Sequence, residues 1–272
     1  MSAEPPPPPA VIVELCGLPG AGKTSLSRAI GGGRAGFAVA RPNRTVAPDI
    51  PDVPRIARKL ALVAEEALRR RTFELEMAHL IVRSRQPGLG GAAARWVQWA
   101  STQALMRRAR DVPGVHLFDE GVLQALWSLA LRGDPTATLR ALGGSIGRWS
   151  SPDLVFVVDP PVELVARRLI DRRSTHSRLQ PSTDDAAFRA ELVRGRAIFD
   201  RLLSWWGQTV PSEVPVVRLG GNHADPSADV RVITTSIDAV VRRLGAGPPT
   251  PAGSSAGSPA GSPTGSSVGD RW

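Results

Sequence analysis

Lysine is nearly missing from this chain: of its 34 basic residues, only Lys23 and Lys59 are lysines, and the others are arginines. Tyrosine is absent, and no apolar run approaches the roughly 18 residues needed to cross a bilayer. The single cysteine, Cys16, excludes an internal disulfide, and the N-terminus lacks the basic and then apolar pattern of a secretory signal. We therefore expect a cytoplasmic protein without a membrane partner.

Both ends of the chain are poor in residues that could form a core. The N-terminus begins MSAEPPPPPA, and the C-terminal segment consists mainly of Gly, Ser, Pro and Ala. Such compositions favour extended, solvated chain. We predict a disordered proline-rich head over residues 1–9, one folded domain over residues 10–245, and a disordered tail over residues 246–272.

The formal charge of +9 raises the question of nucleic-acid binding. However, the arginines are spread over several predicted helices instead of forming one tract, and the scarcity of lysine is typical of a GC-rich coding sequence. A basic protein that acts on an anionic small molecule explains the charge better than a nucleic-acid partner does.

Short β-branched runs alternate with helical patterns along the folded part. The predicted strands are AVIVELC, GFAVA, VHLF, DLVFVV and VPVVRL. This alternation predicts an α/β domain with a parallel sheet of about five strands and helices on both faces. We expect a loop from Arg41 to Pro54, and then a helix that buries Ile56, Leu60, Val63 and Ala67. Ligands of such a sheet bind at the carboxyl ends of its strands.

The segment GLPGAGKT, Gly17 to Thr24, directly follows the first strand and matches the phosphate-binding pattern G-x-x-x-x-G-K-[ST]. Its glycines let backbone N–H groups turn inward around an anion, and the helix that follows adds its positive end. Lys23 supplies a compact charge that a planar guanidinium would not replace, which explains a lysine in this chain. The predicted nucleotide-binding residues are Gly17, Leu18, Pro19, Gly20, Ala21, Gly22, Lys23, Thr24 and Ser25.

The strand VHLF ends at two adjacent acids, Asp119 and Glu120. Asp119 is predicted to hold Mg²⁺ together with the Thr24 hydroxyl, because both supply hard oxygen ligands. Either acid could take the proton of an acceptor hydroxyl, and the sequence leaves this choice open. One of them could instead serve only as a helix N-cap.

With these motifs in place, residues 10 to 243 resemble the thymidylate kinase and deoxynucleoside kinase group. The resemblance rests on four segments. They are the loop GLPGAGKT, called the P-loop, the sequence DEG directly after the strand VHLF, the segment SPDLVFVVDPPVELVARRLIDRRSTHSRLQ, and the final VPVVRLGG. It implies a P-loop kinase fold with ATP and Mg²⁺ as cofactors, and a lid over residues 171–184. The arginines that fall where this group carries lid arginines are Arg168, Arg172, Arg173 and Arg178; of these, Arg172, Arg173 and Arg178 are predicted to be catalytic.

The sequence departs from that group at the acceptor side. Glu120 stands where thymidylate kinases carry an arginine for the acceptor's phosphate, which favours an uncharged hydroxyl acceptor unless Arg41 or Arg44 takes over that role. The middle helices line the acceptor pocket in this group. Gln98, which lies between Trp96 and Trp99, could therefore read the edge of a planar ring, although both tryptophans could simply be core residues.

The sequence therefore predicts an ATP-dependent kinase that phosphorylates a nucleoside, a nucleotide or a similar hydroxyl compound. One alternative is a phosphotransferase for an antibiotic or another secondary metabolite, which would use the same parts. A second alternative is a regulatory P-loop ATPase that acts on a protein partner. The acceptor, the preference for ATP or GTP, and the oligomeric state, including a homodimer, stay open.

Overall fold

The computed structural model describes residues 9–31, 39–42, 52–69, 71–142, 149–171, 185–210, 214–221 and 226–245. Residues 1–8 of the predicted head, residues 172–184 of the predicted lid and the predicted tail lie outside these ranges. The strands are β1 (Ala10–Cys16), β2 (Val39–Ala40), β3 (Gly114–Phe118), β4 (Leu154–Val158) and β5 (Val216–Leu219). The helices are α1 (Lys23–Ala29), α2 (Asp52–Arg69), α3 (Arg71–Arg83), α4 (Gly88–Arg110), α5 (Val122–Arg132), α6 (Pro135–Ala141), α7 (Val162–Asp171), α8 (Asp185–Thr209) and α9 (Ser227–Gly245).

All strand pairs of the sheet are parallel, and the strand order is β2-β3-β1-β4-β5. The prediction of a parallel α/β sheet with five strands is confirmed. Strand β1 lies between β3 and β4, and the chain continues to one side of β1 and later to the other. The loop after β1 therefore lies at the position where the strand order reverses. Parallel sheets bind ligands at this position, which places the Gly17–Thr24 loop at the expected site.

Helices cover both faces of the sheet, and alternate residues of β1 show the two layers. Ile12 and Cys16 pack into a core that includes residues of α4, α5, α7 and α8. Val11, Val13 and Leu15 pack into a second core with α1 and α9. Strand β4 contributes to both cores, and all five of its residues are buried. This burial on two faces explains why its sequence reads as one continuous apolar run.

The predicted boundary between loop and helix is wrong at α2. Helix α2 begins at Asp52, within the predicted loop, because Pro54 lies in the first turn of the helix, where its missing N–H breaks no hydrogen bond. Helix α4 begins at Gly88, although its first residues are GLGG. Within the described residues, no helix is long and apolar enough to cross a membrane.

The predicted buried stripe of α2 is also partly wrong. Ile56 and Leu60 are 51% and 53% exposed, whereas Leu62, Val63 and Glu66 are buried. The Arg107 guanidinium of α4 donates to Glu66 Oε2 at 3.0 Å, so a buried ion pair turns this face of α2 toward α4. An acid that is paired in this way can take a core position.

Candidate active site

The loop after β1 has the backbone of a phosphate cradle. Gly20 and Gly22 take left-handed conformations with φ of 82° and 104°, which residues with a Cβ rarely adopt. A Cβ on Gly17 would lie 2.3 Å from the Val158 carbonyl oxygen at the end of β4. The glycines therefore allow both the turn of the loop and its close approach to the sheet.

Lys23 is the first residue of α1, and its side chain folds back over the loop. The Nζ atom donates to the carbonyl oxygens of Gly17 at 2.8 Å and Leu18 at 3.0 Å. The ammonium group therefore lies beside the loop amides and the positive end of α1. Ser25, the last of the predicted loop residues, is exposed on the first turn of the helix. Together, these groups line a concavity whose backbone N–H groups and ammonium would suit an anion.

The tertiary structure brings Thr24 and Asp119 together, although 95 residues separate them in the chain. Thr24 Oγ1 lies 3.5 Å from Asp119 Oδ2, at the end of β3. A hydroxyl and a carboxylate at this distance fit Mg²⁺, which usually takes one or two carboxylates together with waters and phosphate oxygens. Glu120 follows on the exposed side of the same turn.

Glu14 is a part of the site that the sequence analysis missed. Its side chain is fully buried between β1 and α5, where Oε2 accepts from Leu123 N at 3.2 Å and Oε1 accepts from Gln124 N at 3.0 Å. Burial raises the pKa of Glu14 to about 7, although the N–H groups at the start of α5 oppose this rise. The available signal was an acid inside the otherwise apolar strand AVIVELC.

Gln124 connects the start of α5 to the phosphate loop. Its backbone N–H donates to Glu14, while its side-chain Oε1 accepts from Gly17 N at 3.2 Å. Gly121 must lack a side chain here, because a Cβ would lie 2.4 Å from the Glu14 carboxyl carbon. We refer to Glu14, Gln124 and Gly17 as the β1–α5 clamp. It holds the segment after Asp119 against the start of the loop.

One of the predicted lid arginines reaches the loop. Arg168 of α7 donates to Ala21 O at 3.3 Å and to Gly221 O at 3.4 Å. Burial, together with the neighbouring charge of Arg167, lowers the pKa of Arg168. This guanidinium therefore lies between the phosphate loop and the segment after β5. The predicted catalytic residues Arg172, Arg173 and Arg178 lie outside the described residues.

An ion-pair network that the sequence did not predict borders the other side of the loop. Asp159, directly after β4, accepts from Arg196 of α8 at 2.8 Å and from Arg218 of β5 at 3.0 Å. Arg218 also donates to Asp200 at 3.1 Å. These side chains line a small cavity together with Gly17 and Leu18. Helix α8 is thereby tied to the strand ends beside the loop.

Of the predicted acceptor residues, the structure describes Arg41 and Gln98. The Arg41 guanidinium lies against Gly31 at the end of α1, and Arg44 is outside the described residues. Gln98 Oε1 accepts from Arg95 Nη1 at 3.1 Å. Trp99 is 1% exposed, and its ring packs edge-on against Trp149 at 4.8 Å, so it is a core residue and offers no free face for stacking.

No protein-family model matches the chain, and no curated protein matches it significantly. Among solved structures, the chain is similar to three of deoxyadenosine kinase from M. mycoides. The structure with dATP bound is 14% identical with a TM-score of 0.46, and the structure with dCTP bound is 13% identical with a TM-score of 0.44. The structure with the products dCMP and a flexible dCDP is 13% identical with a TM-score of 0.45. Each comparison covers 84% of this chain and 100% of the other.

Proposed function

We propose that this protein is a Mg²⁺-dependent P-loop kinase that transfers the γ-phosphoryl group of ATP to a hydroxyl group of a small acceptor, a nucleoside or a nucleotide. The observation that carries the proposal is the arrangement around the loop. Lys23 Nζ lies over the loop, within 3.0 Å of its first carbonyls, while the Thr24 hydroxyl lies 3.5 Å from Asp119. The Lys23 ammonium suits the phosphates, and the pair of Thr24 and Asp119 suits the Mg²⁺ that accompanies them.

In this mechanism, the loop amides and the Lys23 ammonium hold the β- and γ-phosphates, and the ammonium exchanges its two carbonyl partners for phosphate oxygens. Thr24 and Asp119 would hold Mg²⁺, which would neutralise charge on those phosphates. The acceptor oxygen forms a bond to the γ-phosphorus as the bond to the bridging β–γ oxygen breaks. The acceptor proton passes to Glu120 or Asp119, and ADP leaves.

Arginines complete the proposed site. Arg168 already contacts the loop, and Arg172, Arg173 and Arg178 follow it within ten residues of the chain. Positive groups from a closing lid would stabilise charge on the transferred group and exclude water. Glu120 lies on the exposed side of the strand tip, where a carboxylate would repel an acceptor phosphate. The proposed acceptor is therefore uncharged at its reacting end.

The test is ADP release by the purified protein with ATP and Mg²⁺, alone and with panels of nucleosides, nucleotides and aminocyclitols. ADP release that depends on a nucleoside or nucleotide supports the proposal. Dependence on an aminocyclitol would support the antibiotic phosphotransferase, and turnover that only a protein partner stimulates would support the ATPase switch. Lys23→Ala should abolish turnover, and Lys59→Ala is its matched control.

A second variant assigns the base. Glu120→Ala should lower kcat by about a hundredfold, which is within the contribution of general base catalysis. Since Glu120 is exposed, the variant should keep the thermal stability of the wild type. Full activity of Glu120→Ala would refute the assignment to Glu120 and leave Asp119 as the base.

A further inference from the structure

A cationic groove lies on the surface between α3 and α6. It encloses about 410 Å³ and is lined by His79, Val82, Arg83, Arg85, Ala137, Arg140 and Ala141. We call it the basic groove and define it by His79, Arg83, Arg85 and Arg140. Three guanidinium groups and an imidazole, from segments more than 50 residues apart in sequence, therefore border one concavity. The like charges of the three arginines repel one another unless an anion joins them.

The turn that presents two of these arginines is rigidly held. Ser84 is fully buried, and its carbonyl accepts from Asp134 N at 2.8 Å. Gln86 Nε2 donates to Ser84 Oγ and to Leu129 O, both at 2.9 Å. A Cβ on Gly133 would lie 2.2 Å from the Ser84 carbonyl oxygen, so the α5–α6 junction packs directly on this turn. A platform of this kind reduces the entropy that a ligand must remove on binding.

Arg85 adopts an unusual backbone conformation for its residue type. Its φ is +54°, in the left-handed region that favours glycine, and among the described residues it is the one non-glycine with a positive φ. A side chain in this region is strained, because its Cβ crowds the following carbonyl oxygen. Glycine is the common residue after a helix C-terminus, so an arginine here keeps a cation at the groove despite a backbone cost.

No carboxylate lines the groove among the described residues, and a neighbouring acid, Asp134, contacts one of its arginines. Arg85 Nη1 lies 3.6 Å from Asp134 Oδ2, and their side chains are 77% and 36% exposed. The Ala137 N–H lowers the pKa of Asp134 most, and the charges of Arg85 and Arg140 lower it further. Asp134 therefore offsets part of the charge of Arg85 and Arg140, while Arg83 adds a further positive charge to the groove.

We propose that the basic groove is a binding site for a small phosphate-bearing anion, separate from the phosphate loop. Guanidinium groups bind phosphate oxygens through paired, charge-assisted hydrogen bonds. A concavity of about 410 Å³ has room for a phosphorylated metabolite. The groove lies at the C-terminal end of α5, and the β1–α5 clamp lies at its N-terminal end, roughly 16 Å away along an 11-residue helix.

The test separates this site from the loop by using a Lys23→Ala background, in which the ammonium of the loop is removed. Inorganic pyrophosphate is titrated calorimetrically into this protein without Mg²⁺, at low and at moderate salt. We expect one binding site. Adding Arg83→Ala and Arg140→Ala should weaken its affinity by roughly tenfold or more, because two charge-assisted contacts are lost.

The matched control replaces Arg231 and Arg242 with alanine in the same background. These exposed arginines lie on α9, on the opposite face of the sheet, and their loss changes the net charge equally. Equal weakening by both double variants would refute a specific site, and so would a Lys23→Ala protein that shows no pyrophosphate binding. If a short oligonucleotide bound more tightly than pyrophosphate through Arg83 and Arg140, the small-anion assignment would be wrong.

Discussion

Burial of Glu14 makes the stability of this protein depend on pH in a way that one substitution should remove. The carboxyl group is fully buried, and its pKa is about 7, compared with 4.5 for an unperturbed glutamate. The folded state therefore binds a proton more tightly than the unfolded state does. Between these two pKa values the unfolded chain has already lost its proton, so the free energy of unfolding falls as the pH rises.

The size of the effect follows from the two pKa values. A difference of about 2.5 pKa units corresponds to about 3 kcal/mol when the pH range spans both values. Between pH 5 and pH 8, the part accessible to experiment is about 2 to 3 kcal/mol. The stabilising contribution is fully present below pH 4.5 and is lost as the pH rises through 7.

The variant Glu14→Gln cannot titrate, and it is nearly isosteric with the wild-type side chain. Urea unfolding of both proteins at intervals from pH 5 to pH 8 gives the difference between their free energies of unfolding at each pH. The contributions of the other titrating groups are common to both proteins and cancel in this difference. We expect this difference to change by about 2 to 3 kcal/mol in favour of the variant as the pH rises. A difference that stays constant across this range would refute the buried, proton-binding role of Glu14.

Three further predictions concern the loop and its supports. Gly17→Ala should abolish ATP binding measured by calorimetry, because its Cβ would collide with the last carbonyl of β4, whereas Gly220→Ala, with open space around it, should bind normally. Gln124→Leu leaves the Gly17 N–H unpaired, which costs about 1 to 3 kcal/mol of stability. It should lower kcat more than it changes the acceptor KM, and exposed Gln208→Leu is the control; an unchanged kcat would contradict the role of the clamp. Asp119→Asn should raise the Mg²⁺ concentration for half-maximal activity at least roughly tenfold, as seen by metal titration, because the amide is a weaker ligand than a carboxylate.

Much of the site could be predicted because its constraints are local. The left-handed turns of the loop need glycines at fixed spacings, and the phosphate site needs a compact cation directly after them. The acid at the end of β3 was predictable for a similar reason. Because parallel strands end at the same edge of the sheet, a residue that follows β3 lies near one that follows β1, as Thr24 and Asp119 do.

The β1–α5 clamp could not be predicted, because its parts are meaningful only after packing. Glu14 and Gln124 are 110 residues apart, and nothing in either segment indicates that the Gln124 N–H will donate a hydrogen bond to the buried Glu14 carboxyl group. The face of α2 shows the same limit. Its sequence pattern allows either of two adjacent faces of the helix to be buried. The ion pair between Glu66 and Arg107 selects the face that leaves Ile56 and Leu60 exposed.

The sequence by itself determined the class of sheet, the position of the glycine-rich loop after β1 and the conformation of its glycines, because backbone conformation and short-range periodicity are encoded by neighbouring residues. Only the tertiary structure decided which distant groups meet. Examples are Glu14 of β1 with the N–H groups at the start of α5, the arginines with Asp159, and the residues of α3 and α6 that line the basic groove. These depend on how helices pack on the sheet, and that packing is a property of surfaces that the linear order of residues does not bring together.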